Sequence, residues 1–164
     1  MSSDGPSDGP PGSEPSGRFS FEVTARSAAP VEIVWPLVGE AERWKEWAWM
    51  TRTYLVRPGP AEPQGVGALR RFAVGPFGSS EEVVAWDPPG HLAYVARRGL
   101  PVRSYRADVH LEACAGGTTV RWSGSLDPLM PGTGPLVLWY VRRLVGGFAK
   151  RLCRYADLII QHSP

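Results

Sequence analysis

The chain has 164 residues, enough for one domain with a real core and too few for two ordinary ones. Hydrophobic residues make up 43% and charged residues 21%, which excludes a disordered or fibrous chain. A net charge of +2, from 18 basic and 16 acidic residues, is too balanced to argue for a nucleic-acid or anionic-membrane partner.

Residues 1–17 hold no aliphatic or aromatic residue after Met1 and repeat a Ser-Asp-Gly-Pro unit. They read as a disordered tail ahead of one domain over 18–164. The tail's charges, Asp4, Asp8 and Glu14, are all acidic, so the body is modestly basic. It opens with a strand over 18–27, where Phe19, Phe21, Val23 and Ala25 share a face. Pro30 suits the first turn of a short helix over 31–38. Gly39 ends it, and a second short helix runs over 40–47. Six strands follow, over 51–57, 67–74, 79–86, 91–98, 104–113 and 118–126, with turns at 75–78, at 87–90 and at Gly116-Gly117. Short strands joined by short turns predict an antiparallel meander.

After a Pro/Gly loop over 127–134 comes one long helix over 135–161. Val137, Val141, Leu144, Phe148, Leu152, Tyr155 and Ile159 fall within about 40° of one line and face the sheet. Arg142, Gly146, Lys150, Cys153 and Ile160 lie on the far side. Gly146-Gly147 in mid-helix costs about 1 kcal/mol per residue relative to alanine and is read as room for a bend or a close approach. One helical stripe cannot cover the apolar face of about seven strands unless the sheet curls around it. The expected class is therefore α+β: a curved antiparallel sheet wrapped around a long C-terminal helix, with two short helices after the first strand. Curling leaves a cavity for a small hydrophobic ligand.

This order is the helix-grip arrangement. The segments "AAPVEIVWPLV", "GVGALRRF", "EEVVAWDPPGHLAY" and "GGTTVRW", with the long last helix, resemble the polyketide cyclase/dehydrase and lipid-transport-like proteins of the START/Bet v 1-like superfamily (SRPBCC). The resemblance covers residues 19 to about 160. It implies aromatase/cyclases acting on carrier-bound polyketides, lipid or quinone carriers, or simple binders of small molecules. An acyl carrier protein is an implied partner for the first of these. Shared fold does not choose among them.

Strand alternation supplies candidate site residues. Tyr94, Tyr105 and Trp122 fall on the inner face, although ordinary core packing accounts for any one of them equally well. Arg70 and Arg71 are adjacent, so only one points inward; Arg70 is taken because it shares a face with Phe72. Glu81 and Glu82 pose the same question, and Glu82, on the face of Val84 and Trp86, is taken as the carboxylate. In a cyclase, Arg70 or Tyr105 would stabilise an enolate oxygen and Glu82 would move a proton, with no metal or organic cofactor required. Further ligand-binding candidates are Trp47, Phe72, Leu144, Phe148 and Arg151. Trp44, Trp47 and Trp49 cluster in a region that the resemblance places near the cavity mouth. Trp139, about 180° from the stripe, points away and suggests a partner or dimer contact.

The three histidines sit at a turn (His91), on an outer strand face (His110) and at the tail (His162), so no metal cluster is expected. There is no nucleophile elbow, phosphate loop or dinucleotide fingerprint. Cys114 and Cys153 both fall outward and are expected as free thiols. No charged-then-apolar pattern stands at the start, so no leader peptide is expected, and the longest apolar stretch, 135–141, is too short to span a bilayer. The overall expectation is a cytoplasmic bacterial monomer or homodimer, the source being read from an Arg-rich composition with lysine only at Lys45 and Lys150. It binds an aromatic or polyketide-like ligand and either cyclises or dehydrates it or carries it. A co-chaperone-like interaction protein is the third reading.

Overall fold

Strand β1 (Phe19–Ser27) leads into α1 (Val31–Gly39), a 3₁₀ turn (Ala41–Arg43) and α2 (Trp44–Trp47). Strands β2 (Arg52–Arg57), β3 (Leu69–Val74), β4 (Phe77–Asp87), β5 (His91–Arg98), β6 (Val102–Cys114) and β7 (Gly117–Pro128) follow, and α3 (Gly134–Gln161) ends the chain. The computed structural model describes residues 17–162, so all but the last residue of the expected tail lies outside the described residues. The strands form one antiparallel sheet in the order β1-β7-β6-β5-β4-β3-β2. It curves around α3, as a single helical stripe beneath so many strands requires.

The hairpins are tighter than the sequence reading has them. Val74 pairs with Phe77, leaving only Gly75-Pro76 as the loop between β3 and β4. Gly75 has φ +57°, the sign that a primed two-residue turn needs at its first position. Cys114 likewise pairs with Gly117 around Ala115-Gly116. The predicted second helix divides into the 3₁₀ turn and the single-turn α2. There Trp44 and Trp47 are buried, and their indole N–H groups donate to the carbonyls of Val38 (2.9 Å) and Leu37 (2.8 Å). Those carbonyls belong to the end of α1, where no further helical turn exists to use them. The two tryptophans thus cap one helix while filling the core beside it.

Helix α3 packs against β1, β7 and α1. Three-sided contact makes its covered arc wider than one stripe. Val145, Ala149 and Ala156 are buried with Val141, Phe148 and Leu152. Cys153, expected on the far side, is buried as well. Burial, aided by Asp157, pushes its thiol up to about 12, which leaves it an unreactive core residue. Near the end of the helix, the Asp157 carboxylate accepts hydrogen bonds from Ser27 Oγ (2.6 Å) and Ala28 N (2.8 Å), pinning α3 to the end of β1. No helix among the described residues is long and apolar enough to cross a membrane.

Leu152 is wholly buried, whereas Leu158, on the same helix, is half exposed. Leu152→Ala is expected to cost about 2–5 kcal/mol in urea denaturation, and Leu158→Ala less than about 0.5 kcal/mol. Equal effects would mean that α3 does not seat on the sheet as described.

Candidate functional site

Between the concave sheet and α3 lies a cavity of about 770 Å³. Its wall is largely apolar. Phe72, Val141, Leu144, Val145 and Phe148 contribute, with Trp44 from α2. Glu81, Ser79, Tyr94, Tyr105 and, at the lip, Tyr140 bring ionisable or hydroxyl groups to it. The strands decide this. Inner-face positions alternate with outer ones, and β3 to β6 place Phe72, Glu81, Tyr94 and Tyr105 on the same concave surface.

The two-residue turn at Gly75-Pro76 sets Arg70 directly opposite Glu81 across the β3–β4 pair. Arg70 is completely buried, and Glu81 is 9% exposed. Their closest approach is 3.8 Å, an ion pair without a hydrogen bond. Arg70 Nη1 donates to the carbonyl of Gly39 at 3.4 Å, while its Nε and Nη2 and the Oε2 of Glu81 have no hydrogen-bond partner among the described residues. The guanidinium carbon stands 5.3 Å from the Phe72 ring centre and 5.4 Å from that of Tyr94. Burial raises the Glu81 carboxyl to about 7, against the pull of Arg70. Burial also lowers Arg70, with Glu81 opposing. Tyr94 and Tyr105 are both raised, first by burial. The cavity therefore offers a carboxyl that exchanges its proton near neutrality beside two phenols that keep theirs.

Several assignments made from strand alternation move once the side chains are placed. Glu82 is the outward carboxylate. It pairs with Arg97 at 2.9 Å, because it sits opposite Leu69 while Glu81 takes the inner position. Arg71 also faces away from Arg70 and donates to Ser80 Oγ at 3.2 Å. Trp122 is fully buried and does not line the cavity; its indole N–H donates to the Tyr94 hydroxyl at 3.2 Å and so holds that phenol from behind. Trp47 is core and cap rather than lining. Arg151 is exposed in a separate hollow beside α3. Conversely, Trp49 stacks on Phe148 at 5.6 Å and, with Trp139 and Tyr140, forms the lip of the cavity. Trp139 remains largely exposed, yet it borders the opening because the first turns of α3 stand at the mouth, where two faces of the helix are accessible.

On the outer sheet face, the β5–β6 register puts His91 opposite His110, with rings stacked 4.2 Å apart. With Asp108 their donor atoms lie within 4.8 Å of one another, a grouping that the separate positions of the two histidines in the sequence conceal. Asp108 is already bridged by His91 (2.8 Å) and Arg106 (3.0 Å). A cation there would have to displace a guanidinium, so the cluster reads as an ion-pair network.

The family model for "Polyketide cyclase / dehydrase and lipid transport" matches residues 18–157. The chain belongs to this family. Solved structures of similar fold include a START superfamily protein from Mycobacterium smegmatis, at TM-score 0.74 and 13% identity over 85% of this chain and 98% of that one. A protein from Thermobifida fusca gives TM-score 0.69 and 24% identity over 87% and 93%. DynU16, described as a protein of the dynemicin biosynthetic locus, gives 0.65 and 22% over 84% of this chain and 47% of its own. At these identities the likeness is one of fold. No curated protein matches the chain. For a member of this family the cavity is the place where a hydrophobic ligand is held, and its polar wall is where members with different ligands would differ.

The Glu81 shift has a sign that can be measured. A carboxyl whose folded value stands near 7, above its unfolded value, costs nothing at low pH and destabilises progressively as pH rises from about 4.5 through 7. Urea unfolding is expected to show stability falling by about 3 kcal/mol across that window, with the slope absent in Glu81→Gln. A slope that survives in the variant would assign it to another group.

Proposed function

We propose that the protein binds a flat, carbonyl-bearing aromatic or polyketide-like molecule in this cavity and moves a proton on it, as a cyclase or dehydrase does. The observation that carries the reading is Glu81. A structural ion pair would be closed by hydrogen bonds, whereas Glu81 reaches the cavity wall with one oxygen unpartnered and Arg70 standing 3.8 Å away. An unpaired buried polar atom is costly. With that oxygen turned to Arg70, the other carboxyl oxygen is the one a ligand hydroxyl or enol at the cavity wall would meet, and a carboxyl that titrates near 7 suits general acid–base work at neutral pH. The Tyr105 phenol, kept protonated by burial, is suited to donate to a ligand carbonyl or enolate oxygen. Arg70 is a positioning residue, acting on the charge of Glu81 from behind the wall. The location of DynU16 in a biosynthetic locus is compatible with such chemistry.

The largely apolar lining supports a second reading, a non-catalytic carrier in which Glu81 and Tyr105 only orient the ligand. An acyl carrier protein would deliver substrate in the first reading and has no place in the second.

Benzoylacetone serves as a test ligand with an acidic carbon between two carbonyls. Binding followed by tryptophan fluorescence is expected to weaken about 2- to 10-fold in Tyr105→Phe, the worth of one hydrogen bond. Deuterium exchange at its central carbon, read by NMR, is expected to accelerate with the protein, to rise as pH passes about 7, and to lose that acceleration in Glu81→Gln. Binding without any accelerated exchange would select the carrier. No binding of this probe or its isosteric hydrocarbon would remove both readings.

A further inference from the structure

The mouth of the cavity continues into a second hollow of about 1270 Å³ between α3 and β1. The two share Trp49, Trp139, Tyr140 and Leu144. Beyond that lip the helical wall carries Arg142, Arg143, Lys150 and Arg151, all exposed. None of the four has an ion-pair partner among the described residues. Against these four cations the lining sets the carboxylate of Glu22, on β1. The chain as a whole is nearly neutral, so this concentration of positive charge is local.

The floor of the hollow is the pair Gly146-Gly147. Glycine in mid-helix weakens the helix, and it is usually kept there for a close approach of neighbouring atoms. Of the two readings of the pair, a bend or a close approach, the close approach is not found here. A Cβ on Gly146 would come no nearer than 3.8 Å to Val23 Cγ1, and one on Gly147 would meet nothing within 4 Å. Gly147 leaves open space, while Gly146 lies within ordinary contact distance of Val23, and Arg142, Arg143, Lys150 and Arg151 stand four residues to either side of the pair.

We propose that this hollow is the head-group subsite for the cavity's ligand, taking the phosphate of an amphiphile whose apolar body lies in the cavity. The proposal rests on the cavity reading above. Leu144 at the shared lip is about 9 Å along the helix from Lys150, so one molecule of modest length reaches both compartments. A phosphate ester carries up to about two negative charges and accepts the forked hydrogen bonds that arginine offers. A membrane lipid and a soluble phosphate-bearing thioester present the same chemistry.

The test compares dodecyl phosphate with dodecan-1-ol, both below their aggregation limits, on the full chain by tryptophan fluorescence. The phosphate is expected to bind about tenfold tighter at low salt, with the advantage shrinking as salt screens it. In the double variant Arg143→Gln, Lys150→Gln the advantage is expected to vanish, while dodecanol affinity, which reads the cavity, stays within about twofold. Gly147→Leu keeps every charge and is expected to raise the melting temperature through better helix propensity, yet to lose the advantage by filling the floor. If neither dodecyl probe binds, the subsite is overturned, and benzoylacetone binding then tells whether the cavity reading stands without it. If dodecanol binds but the phosphate has no advantage, or keeps it in both variants, the subsite alone is overturned. Decanoyl-coenzyme A and phosphatidylcholine vesicles containing phosphatidic acid separate the two sources. A charge-dependent preference for either supports the subsite, and binding of neither overturns it.

Discussion

The apolar arc of α3 meets a concave face built by seven strands, and the arc is narrower than the face. The sheet responds by curling, which brings its edge strand β1 against the helix. Ser27 and Ala28 then hold Asp157, fixing the end of α3 to the end of that edge. Curvature cannot close all of the remaining space. Trp44 and Trp47 fill part of it, tied to the end of α1 by their indole N–H groups. What is left is the cavity, opening beneath Trp49, Trp139 and Tyr140. A hydrophobic hollow in this fold is thus a consequence of covering a sheet with a single helix.

The electrostatics of the site follow from the same curvature. Arg70 and Glu81 face each other on a surface that bending removes from water. Removing two charges from solvent is offset only by good geometry, and a 3.8 Å contact with unpartnered atoms is not good geometry. That imbalance lifts Glu81 toward neutrality and leaves it receptive to a polar group on a ligand. Trp122, in the layer behind, donates to the Tyr94 hydroxyl of the wall, so that phenol is held while Arg70 and Glu81 keep unpartnered atoms. Outside the mouth the situation is reversed. There the cations are solvated and without ion-pair partners among the described residues, and they border a space that side chains could fill and do not.

Much of this was legible from periodicity. Alternation in β5 and β6 brought Tyr94 and Tyr105 to one face, and the 3.6-residue repeat of α3 brought Leu144 and Phe148 to the other side of the same cavity. The choice between Glu81 and Glu82 was also within reach. It required only pairing β3 with β4 across a turn of even length: the two-residue turn at Gly75-Pro76 places Arg70 opposite Glu81, and a four-residue turn at 75–78, which shifts the register by two, would still put Glu81 on the face of Phe72. Trp122, Trp47 and Arg151 were harder. Alternation gives a side chain's face but not its depth, and depth separates a residue lining a cavity from one packed behind it.

The order of elements, the mismatch between one helical stripe and many strands, and hence a curved sheet with a hollow beneath it can all be read from the amino acids alone. These rest on local periodicity and on area, both of which are written residue by residue. Other features took shape only in three dimensions: the depth at which Trp47 and Trp122 sit, the burial of Cys153 on a three-sided helix, the meeting of His91 with His110, and the open space at Gly147. Each of these depends on register or on packing between segments far apart in the chain, and neither is fixed until the sheet has closed on the helix.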